Sequence, residues 1–180
     1  MKIIIIGCGK VGYALAEELT EEKHEVTIID SSSERLQEVE EELDALQILG
    51  NGSSLSVLME ADIKNTDLLI SVTGSDELNL LCCLIAKKVG KCQTVARVRN
   101  PVYNKELSFI KESLGISMII NPEMAAALEI ARLLRFPSAI KIDTFAKGKI
   151  ELLKFRLKPE FHLDQISIAD LPQKVKCDIL

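Results

Sequence analysis

The 180-residue chain has no tryptophan, and aromatic residues make up only 4% of it. Basic side chains are outnumbered, with 22 lysines and arginines against 27 aspartates and glutamates, a net charge of −5. Nucleic-acid binding needs the reverse, cations for phosphates and aromatic rings for bases, so no nucleic-acid partner is expected. Long apolar runs are missing as well. The longest charge-free apolar stretch, around residues 80–86, falls far short of the roughly 18–20 residues that cross a bilayer. The start, Met1-Lys2 followed by Ile3–Ile6, has the basic-then-apolar order of a signal peptide. It stops too soon at Gly7, and we read it as a strand. Five cysteines, Cys8, Cys82, Cys83, Cys92 and Cys177, include no CxxC spacing, and their odd number argues against a disulfide framework. They read as small buried hydrophobes in a reducing, cytosolic setting.

What is present is aliphatic: 47% of the residues are hydrophobic, enough to exclude disorder and to fill a core. Short β-branched runs alternate with longer amphipathic stretches, the pattern of parallel βαβ units. Strands are expected at 2–6, 25–29, 46–49, 68–72, 94–98 and 117–120. Helices are expected at 10–21, 33–43, 53–61, 76–89 and 102–114. Several strands are apolar throughout, as when helices cover both faces of a sheet. Residues 1–121 therefore read as an α/β domain, a Rossmann-like doubly wound parallel six-stranded sheet.

From Asn121-Pro122 the pattern changes. Pro122 suits a first helical turn, and a helix over 123–136 would be stopped by Pro137. Its polar stripe, Glu129, Arg132 and Arg135, is narrow. A helix so apolar wants burial on more than one side: between the main domain and the tail or, the reading we favour, against another subunit. The helix over 76–89 has the same excess, Asn79 being the one polar residue in 78–86. Residues 140–146 and 150–157 flank Lys147-Gly148 as a β-hairpin. Residues 162–180 lack a closing element. We divide this part into a crossover helix, 122–137, and a partial β-containing subdomain, 138–180, too small for a core of its own.

The strongest chemical signal is Gly7-Cys8-Gly9-Lys10-Val11-Gly12, between a strand and a helix, with Asp30 ending the second strand 18 residues after Gly12. This is the spacing of a dinucleotide fingerprint. Gly7 permits the tight turn, Gly9 lets backbone approach a pyrophosphate, and Gly12 allows close packing. The helix N-terminus offers N–H groups and a positive dipole end to phosphates. Lys10 is the loop's one cation. Asp30 would accept hydrogen bonds from ribose hydroxyls. It is followed by Ser31-Ser32-Ser33 rather than arginine, so NADP is disfavoured while NAD, ATP and ADP stay equivalent. Two more loops follow strands at the same sheet edge: Gly50-Asn51-Gly52-Ser53, with Ser53 as a helix cap, and Thr73 to Asn79, with Gly74 and with Asp76 as the cap. Both suit adenosine contacts, or are ordinary capped turns. Arg97 and Arg99 end the fifth strand, to bridge a phosphate, pair with a carboxylate or lie exposed. The cofactor-contacting set is thus Gly7, Cys8, Gly9, Lys10, Val11, Gly12, Asp30, Ser31, Asn51, Gly52, Ser53, Thr73, Gly74, Asn79 and Arg97.

Catalytic groups are missing from this set. His24 falls in a loop and His162 in the tail. Tyr13 is followed four residues on by Glu17, and Tyr103 by Leu107, so neither forms a Tyr-x-x-x-Lys pair. A nucleotide site without an acid or base suits a sensor rather than an enzyme. The alternative is a small NAD-dependent oxidoreductase or a fragment of one.

The glycine loop, Asp30, Gly50-Asn-Gly-Ser53, Val72-Thr-Gly-Ser-Asp-Glu-Leu-Asn79, Ala96-Arg-Val98 and Pro122-Glu123 together resemble RCK (KTN) domains, in particular the regulatory subunits of Trk/Ktr potassium-uptake systems. The resemblance covers 1–137 well, whereas the tail is similar only to the start of the family's C-terminal subdomain. It implies binding of NAD(H), or alternatively ATP or ADP. It also implies a homo-oligomer joined through the 122–137 and 76–89 helices, and a membrane potassium translocator as partner at the cytoplasmic face. Lys10 stands where the family often has arginine, and Glu123 matches an acidic position that helps bind a cation in some members. The implied action is gating by a ligand-dependent change of assembly.

Overall fold

The alternation of Ile3–Ile6 is the clearest link from sequence to architecture. Side chains of a strand point to opposite faces in turn. Ile3 and Ile5 enter one buried cluster with Val26, Ile28, Ala16, Leu36 and Val39. Ile4 and Ile6 enter another with Ile29, Leu58, Ile63, Cys82, Cys83 and Ala86. A strand apolar on both faces sits at the centre of a sheet covered on both sides.

The computed structural model describes residues 1–103, 105–135, 139–145, 150–156, 166–167 and 170. They group into two compact units, 1–125 and 126–180. In the first, β1 (Lys2–Ile6), β2 (Glu25–Asp30), β3 (Leu46–Leu49), β4 (Leu68–Ser71), β5 (Gln93–Arg97) and β6 (Met118–Ile120) form one sheet in the order β3-β2-β1-β4-β5-β6. Every pairing is parallel. α1 (Lys10–Glu21) and α2 (Ser33–Glu42) lie over the Ile3/Ile5 face. α3 (Leu55–Glu60), α4 (Asp76–Val89) and α5 (Leu107–Leu114) lie over the Ile4/Ile6 face. The expected Rossmann-like doubly wound sheet is present, and the chain order reverses at β1/β4, where such sheets bind ligands.

Four details depart from the sequence reading, each for a local reason. α4 is capped by Ser75, whose hydroxyl accepts the Leu78 N–H at 3.2 Å. Asp76 is not the cap: its carboxylate faces the β5–α5 loop. Ser53 does not cap α3 either, because Asn51 Oδ1 accepts both its N–H and its hydroxyl, and the helix begins at Leu55. α5 starts five residues later than expected. Pro101–Tyr103 forms a separate helical turn, closed by Asn100 Oδ1 accepting the Val102 N–H at 3.0 Å. Finally, α4 places much of its apolar surface inside its own unit. Cys82, Cys83 and Ala86 are buried, with Leu78, Leu80 and Ile85 packed against them. Leu81 remains exposed.

α6 (Pro122–Arg135) opens with Asn121 Oδ1 accepting the Met124 N–H at 2.9 Å. In the second unit β7 (Ala139–Phe145) and β8 (Ile150–Phe155) pair antiparallel, as the hairpin pattern implies. Arg132 and Arg135 lie 4.0 and 3.5 Å from Glu151. The Pro137 stop, the Lys147-Gly148 turn and nearly all of 157–180, Cys177 included, lie outside the described residues. Among the described residues no helix is long and apolar enough to cross a membrane.

Candidate functional site

β1 ends at Gly7, which adopts φ +98°, the left-handed region that only glycine enters freely. A Cβ there would lie 2.9 Å from the Thr73 backbone nitrogen, so the turn is pressed against the β4–α4 loop. A Cβ on Gly12 would lie 1.9 Å from the Gly7 carbonyl oxygen, which locks α1 onto the turn. On Gly9 a Cβ would meet nothing within 4 Å. Gly9 lines a cavity of about 470 Å³ at the carboxyl ends of the strands. This is a cradle of bare backbone at a helix N-terminus, and it fits a phosphate group.

Asp30 lies across the cavity, about 7% exposed. Its Oδ2 accepts the Cys8 N–H at 2.6 Å and its Oδ1 accepts the Ser32 N–H at 2.8 Å. Asp30 thus splints the glycine loop before any ligand arrives. Each oxygen keeps a further lone pair for a ribose hydroxyl. One sequence expectation is corrected here: an arginine does stand beside Asp30. The first turn of α2 swings Arg35 back, placing Nη1 3.6 Å from Asp30 Oδ2, and Arg35 lines the cavity. Repulsion by a lone carboxylate therefore no longer argues against a 2′-phosphate. The missed signal was helical geometry: Arg35 is five residues from Asp30 in sequence, one turn away in space.

Of the expected site residues, Gly7, Gly9, Asp30, Ser31, Asn51, Gly52, Thr73, Gly74 and Arg97 line this one cavity. Gly52 has a packing reason besides, since a Cβ there would come 2.2 Å from Ile6 Cγ2. The others are not in its lining. Cys8 contributes its backbone N–H to Asp30 while its side chain is buried. Val11 packs against the α1/α2 core. Lys10 is exposed on the first turn of α1, Gly12 is buried under the loop, and Ser53 is spent on Asn51.

Asn79 is fully buried and organises the β4–α4 loop. Its Oδ1 accepts from Ser71 Oγ, Thr73 N and Thr73 Oγ1 at 3.0, 2.8 and 2.7 Å, and its Nδ2 donates to the Arg97 carbonyl at 2.9 Å. Asp76, also buried, accepts the Arg99 and Asn100 N–H groups at 2.9 and 2.7 Å. Sequence reasoning overlooked Ser75 and Leu78, which line the cavity along with Ile6, Ile29, Gly50 and Val72.

At the far side Arg97, its side chain 12% exposed, pairs with Glu123 on the first turn of α6. Its guanidinium holds the Glu123 carboxyl below the usual carboxylate range. No cluster of three or more His, Cys, Asp or Glu able to hold a metal occurs among the described residues.

The remaining titratable groups face elsewhere. Tyr13 donates its hydroxyl to Glu42, and that carboxylate pushes its pKa up to about 12. Tyr103 donates to Glu77 at 2.9 Å. Burial raises the thiols of Cys8, Cys82, Cys83 and Cys92, to about 11 for Cys82 and about 12 for Cys83.

A parallel sheet with a glycine cradle, a carboxylate ending β2 and a cavity at the switch point defines a Rossmann-like domain of the nucleotide-binding kind. The TrkA-N domain family model matches residues 3–122, and the chain belongs to that family. It is 40% identical over 177 residues to the Trk system potassium uptake protein TrkA homolog of Archaeoglobus fulgidus, covering 97% of this chain and 40% of that one. The chain therefore spans well under half the length of that relative. Among solved structures, the TrkA-N domain of the Escherichia coli inner membrane protein YbaL is similar with a TM-score of 0.66 at 22% identity, covering 74% of this chain and 96% of that one. The GsuK channel bound to NAD gives 0.57 at 19% identity, covering 66% and 21%. The resemblance to Trk-type proteins, drawn from motifs alone, is borne out at the level of the family.

Proposed function

We propose that this chain is the nucleotide-sensing part of a regulatory subunit of a potassium-uptake system. It binds NAD(H), or alternatively ATP or ADP, and performs no chemistry on it. One observation carries the reading: the cavity offers a phosphate cradle and a ribose-facing carboxylate, yet among the described residues its lining includes no histidine, lysine, tyrosine or cysteine. Asp30, the one carboxylate among the described lining residues, already accepts the Cys8 and Ser32 N–H groups, unlike a free general base. The A. fulgidus relative is named for potassium uptake, and the GsuK channel is described with NAD bound; both support the reading.

By this proposal the subunit works at the cytoplasmic face, as a homo-oligomer joined through the 122–137 and 76–89 helices, beside a membrane potassium translocator. The nucleotide biases two arrangements of the assembly, and a coupling of about 1–3 kcal/mol shifts their populations several-fold to a hundredfold. The test is calorimetric titration of NAD, NADH, ATP and ADP. Saturable binding of at least one, with NADH left unoxidised by small carbonyl compounds, is the expected result. Absence of binding by all four defeats the proposal, and turnover would revive the dehydrogenase alternative.

A further inference from the structure

The two ends of the cavity handle charge differently. At the ribose end Arg35 and Asp30 pair with each other and both line the cavity. At the other end Arg97 lines the cavity but its partner Glu123 does not. Arg97 is fixed at its root, since its carbonyl accepts from Asn79 Nδ2 at 2.9 Å. Its buried Nε has no hydrogen-bond partner in the described structure. It stands with Thr73 and Gly74, and Thr73 is the residue against which the Gly7 turn is pressed. Arg97 therefore lines the cavity on the side of the Gly7 turn, and its charge is offset by a half-exposed carboxylate that is not in the lining.

We infer that Glu123 competes with nucleotide phosphate for Arg97, so that this pair sets how strongly the cavity discriminates among nucleotides by phosphate charge. With Glu123 engaged, the cation is partly neutralised and a polyphosphate gains little from it. With Glu123 withdrawn, the whole charge and the Nη donors are available, and charge-assisted bonds to phosphate are the strong ones. By reciprocity, a ligand rich in phosphate loosens Glu123 from Arg97 at the first turn of α6. This rests on the nucleotide-binding reading above and adds what the site measures.

The test compares the affinities of the 180-residue chain for adenosine, ADP and ATP, in EDTA so that no divalent cation shields the phosphates. For Glu123→Gln, ADP should bind about twofold to fivefold more tightly, the range a partly exposed charge pair supplies, and ATP by more, with adenosine unchanged. Arg97→Gln should weaken ADP and ATP alone, and in that background Glu123→Gln should no longer tighten them. Added salt should shrink the effect. Glu123→Ala is the second substitution, and circular dichroism checks folding of each variant. ATP affinity unchanged or lowered in both folded Glu123 variants overturns the inference and leaves the nucleotide-binding reading standing. If the unmodified chain binds none of the three ligands, the inference falls, and the nucleotide-binding reading falls with it only if NAD and NADH fail to bind as well.

Discussion

Residues 1–125 and the described part of 126–180 are built from similar material and treat it in opposite ways. The first unit buries a large aliphatic core: Ile3, Ile4, Ile5, Ile6, Ile28, Ile29, Leu58 and Leu69 are all buried. In the second unit no described side chain is buried. Leu128, Ile130, Leu133, Leu134, Ile140, Ile150 and Leu152 are all more than half exposed. Neither amino-acid type nor local secondary structure explains the difference, since α6 is as regular as α4. What differs is neighbours. A sheet covered on both faces supplies them to strands and flanking helices, whereas the described helix and two-stranded hairpin of the second unit supply too few to enclose a core among the described residues. The first unit thus encloses a core of its own. The second presents apolar surface that suits the subunit contacts proposed above.

The largest effect that sharpens this contrast is in the core. Ile5→Ala should lower unfolding stability by about 2–5 kcal/mol, as truncations at fully buried positions do, while Leu134→Ala changes it by under about 0.5 kcal/mol. Leu134→Ser should instead shift sedimentation toward smaller species. Chemical denaturation and analytical ultracentrifugation separate the two effects. Equal losses of stability at both positions would break the comparison.

A smaller effect is expected at Asn79, which the sequence placed among ligand contacts and the fold places at 0% exposure. Asn79→Ala strands the Ser71 and Thr73 donors and should cost about 1–3 kcal/mol of stability. Nucleotide affinity should fall with it, because the loop carrying Thr73 and Gly74 loses its anchor. A drop in affinity with stability unchanged would return Asn79 to the role of direct contact.

The smallest concerns pH. Burial lifts Cys82 to about 11 and Cys83 to about 12, from an ordinary thiol value of 9.0. The folded chain then holds protons that the unfolded chain has released. This stabilisation is complete below pH 9 and is lost as pH climbs through 9 toward 12. The melting temperature should fall across that interval, and the fall should be shallower in Cys82→Ala/Cys83→Ala. An identical alkaline slope would show that these thiols do not contribute.

How much was legible beforehand follows the same division. Strands apolar on both faces announced a covered sheet, and β1, α1 and α4 were placed to the residue. The glycine loop with Asp30 announced the site, because close backbone approach demands glycine at fixed spacing. The errors arose where several local solutions share one sequence. Ser75 and Asp76 are both good caps, and only the β5–α5 backbone, which recruits the Asp76 carboxylate, decides between them. Asn51 outcompeted Ser53 for the same turn. Pro101 could begin a helix or a lone turn. Arg35 was invisible to a search for residues adjacent to Asp30, although counting one helical turn past Ser32 would have found it. Gly52 and Asn79 each carry a packing or anchoring role beside the cavity that the sequence did not reveal, because packing and binding ask for the same residue types there.

The central claim is that the cavity between the Gly7 turn and Asp30 binds a nucleotide. Its most direct test is calorimetric titration of the unmodified chain and Asp30→Ala with whichever of NAD, NADH, ATP and ADP binds best. The account predicts saturable binding by the unmodified chain and at least tenfold weaker binding by the variant, roughly 1.4 kcal/mol or more, since the splint of the glycine loop and the ribose acceptor are lost together. Equal affinity in the two proteins, or no binding by the unmodified chain, would contradict it.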